Sequence, residues 1–261
     1  MHKNLNKKLL IPSAISLVFV IVQLGISLNE QFTQDKIMSS YPDKRLDYSP
    51  VSIYNGTLFT SCDKFIPDVY FFFLPFIISI PSVLILFNNN IYASNDVVKK
   101  LKESFFSGLV CTYIISLENY ILSSMFLPAY KPELFTGYFP IIDATFGEIY
   151  YYHPNIYLLL FTMIDMLFFG VMSAFFSTVA RLCSYSIEAF FMPLLVSFVL
   201  YFFGRLYPKI DYYIPTNHLR PSQSVYNLNI NIVIIEILFM VAFIVIVNGA
   251  IYIIGRGKND V

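Results

Sequence analysis

The chain has 261 residues and a formal net charge of zero; 57% of its residues are hydrophobic and 13% are charged. Soluble domains usually carry about 25% charged residues, so the composition excludes an ordinary water-soluble globule, and the neutral balance gives no support to nucleic-acid binding. The mean hydropathy of +0.64 indicates a membrane protein.

The first predicted span follows a basic amino-terminal head. Lys3, Lys7 and Lys8 precede an apolar run at 9–28. A basic head and an apolar body are also typical of a signal peptide. However, the run is long enough to cross a bilayer, which needs about 20 apolar residues, and no small-x-small cleavage site precedes the polar residues 29–31. We therefore predict a retained first span with the lysines in the cytoplasm.

Five more apolar runs follow in chain order, and Pro75 and Pro81 should kink the first of them. Together with the first run they predict an all-α membrane protein of six transmembrane helices, and the whole chain, 1–261, is expected to form a single transmembrane domain. The predicted spans are 9–28, 69–87, 105–127, 155–180, 189–207 and 230–254. The predicted connections are extracellular segments at 29–68, 128–154 and 208–229, and a cytoplasmic loop at 88–104.

The charge distribution orients these spans. On the predicted inner side there are nine lysines and arginines against four acids, and on the outer side eight against ten. Arg181 ends the fourth span, whose other end carries Tyr150, Tyr151 and Tyr152, as expected at the two interfaces of a membrane. Both termini are therefore predicted to be cytoplasmic. The abundance of Ile, Asn, Lys and Phe favours an AT-rich bacterium, so we expect the bacterial plasma membrane.

Three carboxylates lie inside predicted spans: Glu118, Asp165 and Glu236. An ionised carboxylate at the centre of a membrane helix costs roughly 2.5 to 3.5 kcal/mol, so each should face the bundle or a wet cavity. They are candidates for a polar lining of a substrate or proton path. The alternative is interhelical hydrogen bonding that only fixes packing.

Other residue patterns carry weaker signals. Gly170 and Ala174 form a small-xxx-small pair that would let a partner helix approach. The isolated cysteines Cys62, Cys111 and Cys183 imply no disulfide framework. No zinc-protease, nucleophile-elbow or P-loop motif occurs, and the histidines are scattered. We therefore expect neither an enzyme nor a metal site.

Three stretches resemble the small ABC-2-type permeases of Gram-positive bacteria, and the resemblance covers about 68–207. The stretches are FFFLPFIISIPS, LENYILSSMFLPAYKPE and FGEIYYYHPNIYLLLFTMIDMLFFGVMSAFFSTVAR. Members of that family often enter the fourth span with F-x-x-L-Y-x-x-P-x-x-Y. Here that entry reads Phe146, Ile149, Tyr150, His153-Pro154 and Tyr157.

The resemblance implies a type V exporter-like permease that dimerises with itself or a related subunit. A separate ATP-binding subunit would supply ATP and Mg²⁺ and dock on the loop between spans two and three, here 88–104 with Lys99, Lys100 and Lys102. This chain itself would hold no cofactor. The exported substrate would be a peptide, an antibiotic or a lipid.

Two other functions stay open. One is a non-transporting membrane protein, such as a bacteriocin-immunity or sensor component. The other is an ion-coupled carrier that uses the three buried acids.

Overall fold

The computed structural model describes residues 2–40, 52–58, 65–87, 97–130, 146–183, 185–207 and 230–257. Every regular element in these segments is a helix, which confirms the predicted all-helical class. The helices are α1 (His2–Ser40), α2 (Ile53–Thr57), α3 (Phe65–Phe87), α4 (Val97–Phe126), α5 (Gly147–Tyr152), α6 (Pro154–Ala180), α7 (Ser186–Leu206) and α8 (Ile230–Gly257).

Five helices in the described part of the chain are long and apolar enough to cross a bilayer. In α3 the described apolar stretch, Val69–Val83, is shorter, although the helix itself has 23 residues. Pro75 and Pro81 lie inside α3 and do not end it. The protein is therefore a multi-pass α-helical membrane protein. The five spanning stretches are Ile11–Asn29, Val97–Phe126, Pro154–Ala180, Ile187–Gly204 and Ile230–Ile253.

The centre of the bundle is the antiparallel pair α4 and α6, which have the most extensive contact of any two helices described. Ser104, near the start of α4, meets Ser177, near the end of α6. Helix α3 runs parallel to α6, because Tyr70 lies at the level of Asp165 while Val83 packs with Ala180. These three helices enclose most of the buried core.

The remaining long helices surround this centre. Helix α1 runs parallel to α4, and Leu24 clusters with Leu127 near one end of the pair. Helix α7 is antiparallel to α3, with ring contacts from Phe76 to Phe190 and from Phe72 to Tyr201. Helix α8 is parallel to α6, because Phe243 packs on Phe175 and Asn248 reaches Thr178. The six long helices therefore alternate in direction along the chain.

The burial pattern is that of a bundle surrounded by lipid. The largest fully buried side chains include Phe168, Phe169 and Phe176 of α6 and Ile77 and Ile78 of α3. In contrast, large apolar side chains on α7 and α8 are exposed, among them Phe198, Phe202, Leu238, Phe239 and Ile246. Lipid tails are as apolar as these side chains, so no further burial is needed to hold them.

Two helices extend beyond the spans predicted for them. The third span was predicted at 105–127, but α4 begins at Val97, so 97–104 is helix and not part of a loop. The first span was predicted at 9–28, whereas α1 extends from His2 to Ser40. The reason is that segments such as VVKKLKES contain strong helix formers and no glycine or proline. The helix therefore continues beyond the apolar run that a membrane requires.

The other boundaries lie close to the predicted ones. Spans predicted at 155–180, 189–207 and 230–254 match α6, α7 and α8 to within three residues at each end. The short helices α2 and α5 lie in segments predicted only as extracellular connections. The residues 41–51, 59–64, 88–96, 131–145 and 208–229 of the predicted connections lie outside the described residues.

Candidate functional site

The framework of the candidate site is the crossing of α4 and α6, where small side chains meet. A Cβ atom added to Gly108 would lie 2.5 Å from Ser173 Cβ and 2.7 Å from the Phe169 backbone oxygen. Nearby, the Ser177 hydroxyl donates a hydrogen bond of 2.7 Å to Ser104 Oγ. Small residues allow such close approach of two membrane helices. The close crossing therefore fixes the positions of the neighbouring side chains of α4 and α6, which line the cavity beside it.

The two predicted packing residues both lie on the buried side of α6. A Cβ on Gly170 would lie 2.9 Å from the Phe105 ring of α4, and Ala174 is buried. Gly108 was missed by the sequence analysis. The signal for it was available, because Ser104 and Gly108 are four residues apart and form the same small-xxx-small pattern on α4.

Beside the crossing lies a partly open cavity of about 60 Å³ between α2, α3, α4 and α6. Its wall combines apolar side chains, such as Phe169 and Leu74, with a set of polar ones. The polar lining residues are Thr57, Tyr70, Thr112, Ser116, Asn119, Thr162 and Asp165. A cavity of this size holds a few water molecules or one small ion.

Asp165 is the charged member of this lining. It lies eleven residues into α6, which at 1.5 Å per residue is about 16 Å along the helix and therefore near the middle of a bilayer. Its Oδ1 atom is shielded from solvent and has no hydrogen-bond partner among the described residues. A carboxylate in such a place is costly. An unsatisfied buried carboxylate facing a polar cavity is a typical feature of a ligand or ion site in a membrane protein.

Two of the neutral lining residues, Thr112 and Asn119, each donate a hydrogen bond to a backbone oxygen. The Thr112 hydroxyl donates to the Gly108 backbone oxygen at 2.8 Å. The Asn119 amide nitrogen donates to the Thr57 backbone oxygen at 2.6 Å. Each side chain therefore retains lone pairs on oxygen that a positively charged or hydrogen-bonding ligand can use.

The other two predicted acids do not line the cavity. Glu118 faces α1, where the Ser13 hydroxyl donates a hydrogen bond to its Oε1 atom. Glu236 lies partly buried on α8. The three acids were predicted as one set, but the structure gives them separate surroundings. Both Glu118 and Asp165 lie within electrostatic range of the Tyr70 hydroxyl.

An aromatic cap covers one end of the cavity, formed by α2, α5 and the start of α6. Ile53 of α2 donates its backbone N–H to the Pro128 oxygen at 3.0 Å. The rings of Tyr150 and Tyr157 are 5.0 Å apart. Burial, followed by the neighbouring tyrosines, raises the pKa of Tyr150 well above its ordinary value. The phenol therefore stays neutral at physiological pH. The cap cluster is Tyr54, Leu58, Tyr150, Tyr151, Tyr157, Leu158 and Phe161.

Basic residues lie at the opposite end of the bundle. Lys99 and Lys102 are exposed and Lys100 is half-buried on the first turns of α4. At the same end, Arg181 donates a hydrogen bond to the Asn248 side-chain oxygen and so connects α6 to α8. Partial burial lowers the pKa of the Arg181 guanidinium, but an arginine remains charged in proteins.

Two kinds of site, a cluster of His, Cys, Asp and Glu around a metal ion and a reactive thiol, were sought in the part of the chain that is described. Its His, Cys, Asp and Glu residues form no group of three able to hold a metal ion. Cys111 is a buried free thiol and Cys183 is a half-buried one, whereas Cys62 lies outside the described residues.

No protein-family model, no curated protein and no solved structure matches the chain.

Proposed function

We propose that this chain is the membrane-spanning permease subunit of an ABC transporter, with the cavity at Asp165 on its transport pathway. The single observation that carries the permease assignment is the buried carboxylate of Asp165, which faces a polar cavity about halfway along a membrane helix. A purely structural bundle has no need of this costly arrangement.

Six spans are the topology that we propose. The alternating directions of the six long helices support it, and so does the length of α3. At 1.5 Å per residue, a helix of 23 residues is about 35 Å long, enough for a hydrocarbon core of about 30 Å. With both termini in the cytoplasm of a bacterium, the aromatic cap faces outward and the basic ends of α4 and α6 face inward.

Energy would come from a separate subunit that binds ATP and Mg²⁺. The first turns of α4 support this proposal, because they extend the helix beyond its apolar part and present Lys99 and Lys102 to solvent. A rigid basic helix end suits docking on an acidic surface better than a loose loop does, because less conformational entropy is lost on binding. The exposed apolar faces of α7 and α8 suit a second permease copy or lipid. The exported solute is a peptide, an antibiotic or a lipid.

The proposed docking of an ATP-binding subunit on the start of α4 can be tested by mutation. Changing Lys99, Lys100 and Lys102 together to glutamate reverses the charge of the α4 end and should release an ATP-binding partner that otherwise co-purifies in mild detergent. Like-charge juxtaposition at an interface costs several kcal/mol, so recovery of the partner should fall more than about tenfold.

The matched control replaces the same three lysines with arginine, which keeps the charge and should keep the complex. The triple glutamate variant retaining its partner would contradict docking at α4. If wild-type protein from its native membrane brings down no nucleotide-hydrolysing subunit at all, the ABC assignment is wrong.

An ion-coupled carrier is the second candidate, and the cavity itself favours it. Asp165 could bind and release a proton or a cation as the bundle changes conformation. This candidate requires no ATP-binding partner, so the co-purification test separates it from the first.

A further inference from the structure

We infer that the cavity at Asp165 is a binding site for a single alkali-metal cation. The inference rests on the proposed role of the cavity as part of the pathway, and it names the ligand that this site takes. The first reason is charge, because the single negative charge of the cavity lining matches the single positive charge of an alkali-metal ion.

The charge of the lining sets the charge of the ligand. Among the described lining residues Asp165 is the only acid, and none is a lysine, arginine or histidine. A bound monovalent cation would neutralise the ionised carboxylate inside the membrane, where an uncompensated charge is costly. A divalent cation would leave one excess positive charge there, and calcium sites generally use several carboxylates.

The uncharged ligands are the hard oxygen atoms that such ions prefer. Thr112, Ser116 and Asn119 follow one another at i, i+4 and i+7, so they share one face of α4. Thr162 and Asp165, three residues apart, share a face of α6 in the same way. All five line the same cavity. Two antiparallel helices thus contribute hydroxyl, amide and carboxylate oxygens to one space.

The hydrogen bonds already present favour these oxygens as acceptors. Thr112 donates its proton to the Gly108 carbonyl, and Asn119 donates through its nitrogen to Thr57. What remains on each side chain is lone-pair oxygen, which suits a cation. The Oδ1 atom of Asp165 has no hydrogen-bond partner among the described residues and is the acceptor with the most to gain from a bound ion.

The size of the cavity excludes larger ligands from this conformation. A pocket for a drug-sized molecule measures about 300–1,000 Å³, whereas this one measures about 60 Å³. A peptide, an antibiotic or a lipid does not fit. An ion that has lost most of its water does, with one or two water molecules completing its coordination.

Equilibrium binding of radioactive sodium to the purified full-length chain in lipid nanodiscs tests the inference. We expect about one sodium ion per chain, displaced by unlabelled lithium or potassium and not by calcium. Asp165→Asn removes the charge at nearly constant volume and should weaken binding at least about a hundredfold, since a carboxylate in direct contact with a cation supplies much of its stabilisation. Thr162→Val should weaken it by a smaller factor.

Glu236→Gln is the matched control, because it makes the same kind of change on α8, outside the cavity lining, and should leave sodium affinity unchanged. Equal binding by wild type and Asp165→Asn would overturn the site. So would the lack of any saturable sodium binding, a preference for calcium, or displacement by methylammonium with no competition from alkali ions. These outcomes leave the co-purification result unaffected, so failure of the cation site and failure of the ABC assignment are distinguishable.

Discussion

Replacing Gly108 with leucine is expected to prevent α4 and α6 from packing, and to leave little folded protein in the membrane. Even the first added carbon would lie 2.7 Å from the backbone oxygen of Phe169 and 2.5 Å from Ser173 Cβ. A backbone oxygen within a helix cannot move aside without loss of helix geometry. Overpacking a core costs about 1–3 kcal/mol for smaller insertions, so Gly108→Ala should already be destabilised by about that amount.

The measurement is the fraction of protein that remains monodisperse in detergent after heating. Gly249 offers the matched control, because it is also a helical glycine and a Cβ there meets no described residue within 4 Å. Gly249→Ala and Gly249→Leu should therefore unfold at the wild-type temperature. Wild-type stability in Gly108→Leu would show that the close crossing of α4 and α6 is wrong.

Arg181→Glu is expected to loosen α8 from the bundle at a cost of about 2 kcal/mol. The change removes the hydrogen bond from Arg181 to Asn248. It also places a negative charge at the carboxyl end of α6, where the helix dipole is already negative. Asn248 would keep its bonds to Thr178 Oγ1 and to the Ile244 oxygen, at 3.1 Å and 2.7 Å. The helix should loosen rather than unfold.

A thiol cross-link reports whether α8 is docked. The rings of Phe175 and Phe243 are 4.9 Å apart, so cysteines at these two positions should be joined by a short bifunctional reagent in a background without native cysteines. The temperature at which the yield halves should fall by several degrees in Arg181→Glu and stay near wild type in Arg181→Lys. An unchanged temperature in the glutamate variant would mean that the Arg181 bond contributes nothing to docking.

The membrane class was predictable because apolar runs of bilayer length leave few alternatives in a chain of this composition. The ends of the helices were less predictable, because a helix can continue into water beyond the apolar residues that cross the membrane. The extension of α4 to Val97 shows this. The short helices α2 and α5 depend on tertiary contacts, such as the hydrogen bond from Asn119 to Thr57. No local sequence pattern predicts such contacts.

The site was predictable only in part. Asp165 was predicted as a site residue because a carboxylate within an apolar run is energetically costly and therefore indicates a function. The same argument selected Glu118 and Glu236 equally, and only the packing of the helices separates Asp165 from them. Thr112, Ser116 and Thr162 carried no signal of their own, because hydroxyl side chains are common in membrane helices. Their role arises from the face of α4 or α6 on which they lie.

Six membrane crossings are central to the proposed permease, and impermeant maleimide labelling of single cysteines in intact cells tests them directly. Cysteines replacing Phe32, Tyr130 and Tyr152 should react from outside, and those replacing Lys102 and Leu182 should react only after permeabilisation. All five positions are exposed in the structure, so accessibility alone does not decide the result. Labelling of positions 32 and 102 from the same side would mean that α3 does not cross the membrane, and would contradict the six-span permease.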